Sequence, residues 1–261
     1  MKMKTMRKML YNHKNKISLP SWIILFSGLL FVSFTACNTG KSNASGESAK
    51  ESDGFVSIFD GNTLNGWEGL ADFWKVEEGD LVGFTTEENP LEANTFLIWR
   101  DGQPSDFELK LEFKISSGGN SGIQYRSEEL QDPPFGMKGY QADIDGGHTY
   151  TGQNYEERGR GFLAKRGEVA VLENGQDPKI TESLGDSDEL KSKINSGGWN
   201  RLHLIVKGNH MQHYVNDILM SETTDNDAEH RKMEGLLGIQ IHTGPPMEVR
   251  MRDIQLKDLT K

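Results

Sequence analysis

Residues 106–116 read DFELKLEFKIS, with Phe107, Leu109, Leu111, Phe113 and Ile115 at odd positions and Glu108, Lys110, Glu112 and Lys114 between them. Successive side chains of a strand point to opposite faces. Unbroken alternation from 107 to 115 therefore predicts a half-buried β-strand and excludes an amphipathic helix, whose apolar positions recur every three to four residues. Outward from this segment the same period-two pattern returns, punctuated by Gly, Asn and Asp about every ten residues. WKVEEGDLVGF reads as two short strands around Glu78-Gly79-Asp80, and LIVKGNHMQHYVND repeats the device at Gly208-Asn209. LLGIQIHTGPPMEVRMRDIQLKDL supplies the last two strands, turned at Thr243 to Pro246. Only TESLGDSDELKSKINSGG has room for a turn or two of helix. The pattern predicts an all-β sandwich of two antiparallel sheets.

The amino terminus is different in kind. Lys2, Lys4, Arg7, Lys8, Lys14 and Lys16 precede an apolar run from Ile23 to Phe34, followed by Thr35-Ala36-Cys37. The run is shorter than the roughly 20 residues a membrane span needs, and the order of basic, apolar and small residues is that of a secretory signal. Residues 1–36 are expected to be a lipoprotein signal peptide, with Cys37 the lipidated residue and 37–53 a disordered tether of small polar residues. Cys37 is the single cysteine, so an intrachain disulfide is excluded. The folded domain is expected over 54–261, about 208 residues, enough for one real core. These features point to the envelope of a Gram-negative bacterium, with the lipid anchor as the only membrane contact and the outer membrane, facing the periplasm, as the favoured site.

Charge narrows the partners. The chain carries 39 Asp and Glu against 29 Lys and Arg, a formal −10. Loss of the six basic residues of the signal brings the folded part near −16 (23 basic against 39 acidic). Such a surface repels phosphate backbones, which excludes nucleic acid, and suits a neutral ligand such as a sugar.

Polar residues at alternate positions mark one sheet face. They are Glu112; Gln124 and Arg126 in SGIQYRS; Gln141, Asp143 and Asp145 in KGYQADIDGG; and Gln240 and His242 in GIQIHTG. A merely wetted strand favours Thr, Lys and Ser, whereas these positions hold acids, amides, an arginine and a histidine beside close-packing glycines. Carboxylates facing one another need an arginine, a metal or a ligand hydroxyl to offset their repulsion. Asp143 and Asp145, with Glu112 and His242, are a candidate hard-ligand set for a divalent cation, without diagnostic spacing. SSGGNSG at 116–122 lacks the Lys and following helix of a phosphate loop. It reads as a tight hairpin in which Asn120 can meet a ligand.

Six segments together resemble the 3-keto-disaccharide hydrolase domain family: FVSIFDGNTLNGWEG, FWKVEEGDLVG, DFELKLEFKISSGGNSGIQYRS, GYQADIDGG, WNRLHLIVKGNHMQHYVND and GLLGIQIHTGPPMEVRMRDIQLKDL, in that order over 54–261. The resemblance implies a concanavalin/laminin-G-like jelly roll acting on glycosides whose sugar has been oxidised at C3 by a separate upstream enzyme. Within the family, GYQAD followed by Tyr155-Glu156-Glu157-Arg158 resembles one subgroup, whereas another carries Glu and Gln where this chain has Gln141 and Asp143.

A C3 ketone acidifies the C2 proton and sets the C1 substituent β to a carbonyl, so cleavage can proceed by elimination followed by hydration. That route calls for a base, a donor to the enolate oxygen and an acid for the departing oxygen. His242 is the first candidate for proton transfer, because imidazole titrates near neutral pH. Asp143 and Glu112 are alternative bases if burial raises their proton affinity. Glu157 is read on a glycine-flanked loop able to close over the sugar, and Arg126 and Arg158 as cations for an enolate or carboxylate, or as structural ion pairs. Gln124, Gln141, Gln240 and Asn120 are amides for sugar hydroxyls, and Trp99 and Tyr155 candidate ring platforms. Trp67, Trp74 and Trp199 are expected in the core, and His203, His210, His213 and His230 at the surface; His148 can reach the groove or face solvent. The reading requires His242, Asp143, Glu112 and Arg126 to converge in one hollow. Its rivals are a non-catalytic carbohydrate-binding module of the same fold and a surface adhesin.

Overall fold

The computed structural model describes residues 53–260; the expected signal, Cys37 and the tether up to 52 lie outside the described residues. In chain order the first strands are β1 (Val56–Ser57), β2 (Trp67–Glu68), β3 (Trp74–Glu77), β4 (Asp80–Phe84), β5 (Thr95–Trp99) and β6 (Phe107–Ile115). Then come β7 (Asn120–Glu129), β8 (Met137–Asp145), β9 (Asn154–Glu157), β10 (Gly161–Ala164), β11 (Glu168–Leu172) and β12 (Lys179–Ser183). A single turn of helix, α1 (Ser187–Lys191), precedes β13 (Asn200–Lys207), β14 (His210–Val215), β15 (Ile218–Asp225), β16 (Leu236–Ile241) and β17 (Glu248–Asp258). Asp186 caps that helix, its carboxylate accepting the backbone N–H of Asp188 and Glu189.

Two sheets result. One has ten strands in the order β12-β11-β15-β14-β13-β6-β17-β4-β3, with β1 added on β17, and the other seven in the order β10-β9-β8-β7-β16-β5-β2. Every pairing is antiparallel except that of β11 with β15. Between the sheets lies the core, with Phe107, Leu109, Leu111, Phe113 and Ile115 of β6 on one side and Ile123, Tyr125, Tyr140, Ile144, Ile239 and Ile241 on the other. The protein is an all-β jelly-roll sandwich, and the alternation of residues 107–115 appears in it as strict burial of every second side chain.

Hairpins form where turn residues tolerate positive φ: Glu78 (55°) and Gly79 (86°) join β3 to β4, and Asn216 (51°) and Asp217 (64°) join β14 to β15. The SSGGNSG segment departs from expectation. It is no hairpin, because β6 belongs to the ten-stranded sheet and β7 to the seven-stranded one; its turn, closed by Gly119 N–H to Ser116 O (2.9 Å), passes the chain between layers. Thr243–Pro246 does the same from β16 to β17. Local pattern reports a turn but not which sheet the next strand will join.

Candidate active site

The seven-stranded sheet carries the site on the face turned away from the core. Along β8, Tyr140, Ala142 and Ile144 enter the core while Gln141 and Asp143 project to the other side; Ile239 and Ile241 of β16 alternate likewise with Gln240. Here they line a hollow of about 350 Å³ with Asn120, Tyr150, Tyr155, Glu157, Phe162 and His242. This floor is buried instead of wet: Asp143 is only 6 % exposed and Gln141, Gln240 and Gln124 are also buried. Gly122 of β7, opposite Asp143 in the register, makes room for the Gln141 side chain. A Cβ there would lie 2.6 Å from the Gln141 side chain, so the amide crosses a strand that has nothing at that point to block it.

Hydrogen bonds order the amides. Gln124 Nε2 donates to Gln141 Oε1 (3.2 Å), and Gln141 Nε2 donates to Asp143 Oδ1 (2.7 Å) and, at 3.5 Å, to Gln240 Oε1. Gln240 Nε2 is a buried donor left without a partner. An unpaired buried N–H costs free energy that a ligand oxygen can recover. Burial pushes the Asp143 carboxyl up to about 8; the bond from Gln141 opposes the rise, and the charges of Asp145 and Glu157 add to it. Near neutral pH Asp143 therefore holds its proton.

His242 is half-buried at the end of β16. Its Nδ1 lies 2.6 Å from Thr243 O. A carbonyl can only accept, so Nδ1 carries the hydrogen and Nε2 of the neutral ring presents a lone pair. The next peptide is fixed too: Thr243 N–H donates to Asn94 Oδ1 (3.0 Å), and Asn94 Nδ2 reaches Glu157 Oε1 (3.4 Å). Asn94 thus links the histidine segment to the acid across the hollow.

Glu157 is not on a mobile loop, as the glycines suggested, but ends β9 in a hairpin with β10. That hairpin is bolted from behind. Arg160 Nε donates to Glu156 Oε2 (2.6 Å) and its Nη2 to Asp225 Oδ2 (2.7 Å), an oxygen that Tyr140 Oη also donates to at 2.6 Å. Alternation then turns Tyr155 and Glu157 toward the hollow. Arg158, expected to bind substrate, does not line the hollow; its Nε lies 4.0 Å from Glu157 Oε1.

Glu112, Arg126 and Trp99, expected at the site, lie away from the hollow. Glu112 belongs to β6 in the other sheet, where its carboxylate takes a hydrogen bond from Arg252 Nε (2.7 Å) on the solvent side. Arg126 leaves the period-two pattern because its φ of 46° lies at an irregularity in the β7–β8 register. Its guanidinium is buried instead among Ser105 O, Gly208 O and Asp106 Oδ1. Trp99 of β5 shares the core face with Leu97. The four-residue convergence required of His242, Asp143, Glu112 and Arg126 is therefore not met; only His242 and Asp143 line the hollow.

Asp145 is spent locally. Its carboxylate accepts the N–H groups of Thr149, Tyr150 and Thr151 and staples the loop after β8. Among the described residues no three His, Cys, Asp or Glu side chains gather as a metal would require, so the candidate ligand set is not assembled. Gln124 lies beneath Gln141 and supports it without lining the hollow.

Residues 54–257 match the profile of the 3-keto-alpha-glucoside-1,2-lyase-like domain family. The chain belongs to that family. The 3-keto-disaccharide hydrolase of Bacteroides thetaiotaomicron is 36% identical over 94 residues, which span 31% of this chain and 30% of that protein. Among solved structures, a candidate glycosyl hydrolase of Parabacteroides distasonis superposes with a TM-score of 0.51 at 19% identity, covering 79% of this chain and 94% of that one. A Bacillus subtilis protein of galectin-like fold gives 0.50 at 14% identity over 75% of this chain and 90% of its own. At such identities the superpositions speak for the fold alone.

In this 3-keto-alpha-glucoside-1,2-lyase-like domain, sequence reasoning missed Tyr150, Phe162 and Asn94. Tyr150 and Phe162 are nearly parallel with centroids 5.9 Å apart, and Phe162 meets Tyr155 edge-on at 5.0 Å. An aromatic in a Gly-rich turn was the available signal. Two further expectations fail: Trp199 is half-exposed beneath the Arg252 guanidinium (3.9 Å), and His213 is fully buried. His213 Nδ1 donates to Gln153 O (3.3 Å), so Nε2 accepts the Tyr125 hydroxyl (2.9 Å), and burial pulls its pKa down to about 4.

Proposed function

We propose that the protein cleaves glycosides whose sugar carries a ketone at C3, by loss of the C2 proton, elimination of the C1 substituent and addition of water. One observation carries this reading: a carboxyl poised near pH 8, Asp143, and an imidazole with a bare Nε2, His242, line the same hollow. Groups whose surroundings hold one protonated and leave the other able to accept are what acid–base chemistry requires. His242 Nε2 takes the C2 proton. The electron pair moves toward the C3 carbonyl, whose developing charge the unpartnered Gln240 Nε2–H meets as a hydrogen-bond donor. As the C1–O bond breaks and C1=C2 forms, Asp143 gives its proton to the departing oxygen. Addition of water then delivers hydroxyl to C1 and the proton held by His242 to C2, while the Asp143 carboxylate takes the remaining proton. Both groups return to their starting forms and the product is the free 3-keto sugar.

Incubation of the full chain with a 3-keto-disaccharide, with free 3-keto-glucose followed over time, tests the reading. Because Asp143 must be protonated to serve as acid, kcat/KM should fall as pH rises through about 8. Binding without product at any pH would replace the enzyme by a carbohydrate-binding module, a reading that the aromatic side chains of the hollow favour. The ketone itself has to come from a separate enzyme that oxidises C3. We place the protein in the cell envelope through a lipid on Cys37, as the sequence leading to that residue suggests. Labelled fatty acid should enter the native chain and not Cys37→Ala; equal labelling of both would reject the anchor.

A further inference from the structure

Among the described residues, five large apolar side chains are exposed: Val56, Tyr150, Phe162, Ile180 and Met233. The two aromatic ones, Tyr150 at 39% and Phe162 at 36%, both line the hollow. With Tyr155 they make one wall of it, while the polar groups Asn120, Gln141, Asp143, Gln240 and His242 come from β7, β8, β16 and the end of β16. The site is therefore divided into a floor rich in hydrogen-bonding groups and a wall of ring faces. We infer that this wall is a subsite for a flat, uncharged aromatic aglycone, so that aryl glycosides are the substrate class the hollow favours; the inference rests on the function above for the placing of the sugar on the polar floor.

Chemistry separates an aryl group from a second sugar. On the wall the hydrogen-bonding groups are few: the hydroxyls of Tyr150 and Tyr155 and the carboxylate of Glu157. A second hexose can lay its C–H face on a ring but leaves several hydroxyls beside a wall with few partners for them, whereas an aryl group gives up only apolar surface. Charge restricts the class further, since the Glu157 carboxylate faces the same hollow and disfavours an anionic aglycone. The wall is also held in advance. Asp145 fixes the loop bearing Tyr150 through that residue's own N–H (2.8 Å), and the Arg160–Glu156 and Arg160–Asp225 pairs fix the hairpin bearing Tyr155 and Phe162. Little ordering is left to be done on binding.

The test is calorimetric binding of phenyl glucoside, methyl glucoside and a glucosyl disaccharide to the full chain, in both anomers. None carries the C3 ketone, so turnover does not enter. Phenyl glucoside should bind about tenfold tighter than methyl glucoside, the order expected of aromatic contacts. That ratio should fall to within about twofold in Phe162→Ala, and equally in Phe162→Leu, which keeps apolar volume without a ring face. Equal affinity for phenyl and methyl glucosides, tighter binding of the disaccharide than of the phenyl glycoside, an unchanged ratio in the variants, or no binding of any of the three would each overturn the proposal. A preserved phenyl preference in a chain that fails to cleave 3-keto-glycosides would reject the chemistry and keep the subsite.

Discussion

Replacing Asp143 by Asn isolates what burial does to this carboxyl. An ordinary aspartate titrates at 3.8 and this one at about 8, because the folded chain surrounds it with β-sheet and two further acids instead of water. Between those values the folded state binds one proton more than the unfolded state, so this group's contribution is fully present below the unfolded value and is lost as pH rises through about 8. At ~1.4 kcal/mol per pH unit, the loss is on the order of 5 kcal/mol once Asp143 is ionised. Asn has nearly the same shape, its Oδ1 can still accept from Gln141 Nε2, and it carries no charge at any pH. The stability of Asp143→Asn relative to the native chain should therefore grow by about 4 kcal/mol from pH 5 to pH 9. Urea unfolding of both chains at half-unit pH intervals measures the difference. Titrating groups that do not interact with Asp143, His213 among them, are common to both and cancel. A difference independent of pH would show that Asp143 ionises freely in the folded chain, and would remove both the acid and the reason for calling the hollow dry.

His242→Ala should slow turnover of a 3-keto-glycoside by roughly 10²- to 10⁴-fold, as for other proton-transfer residues, with the unfolding midpoint hardly moved because the ring is only half-buried; a full-rate variant would eliminate it as the base. Glu112→Gln, on the opposite sheet, should leave kcat/KM unchanged and cost at most about 1 kcal/mol, as partly exposed ion pairs do; a large loss of rate would contradict its position. Gly122→Ala puts a methyl group 2.6 Å from the Gln141 side chain, so it should destabilise by about 1–3 kcal/mol and lower kcat through the misplaced Gln141–Asp143 bond. Equal stability and rate in that variant would show that the amide can lie elsewhere.

Much of the site was legible before any tertiary information. Asp143, Glu157, His242, Gln141, Gln240, Asn120 and Tyr155 were all read from alternation or family pattern, and all line one hollow. What alternation could not supply was the sheet to which a strand belongs. Glu112 has the same period-two setting as Asp143, yet β6 pairs with β13 and β17 while β8 pairs with β7 and β9, which puts the two acids on different sheets. Arg126 failed for a local reason, since one irregularity in register reverses a side chain. Trp99 failed by one step of the pleat, facing the core where Phe96 and Ile98 face away.

The sequence by itself determined the strands, their apolar faces and the residue types available for chemistry, because side-chain period and turn tolerance are properties of a few consecutive residues. Only the tertiary structure decided which of those faces meet, that the polar floor is buried enough to hold a proton on Asp143, and that Tyr150 and Phe162 stand beside it. Burial and proximity depend on strand order and crossings between sheets, and these are fixed by packing among segments as far apart in the chain as β5 and β16.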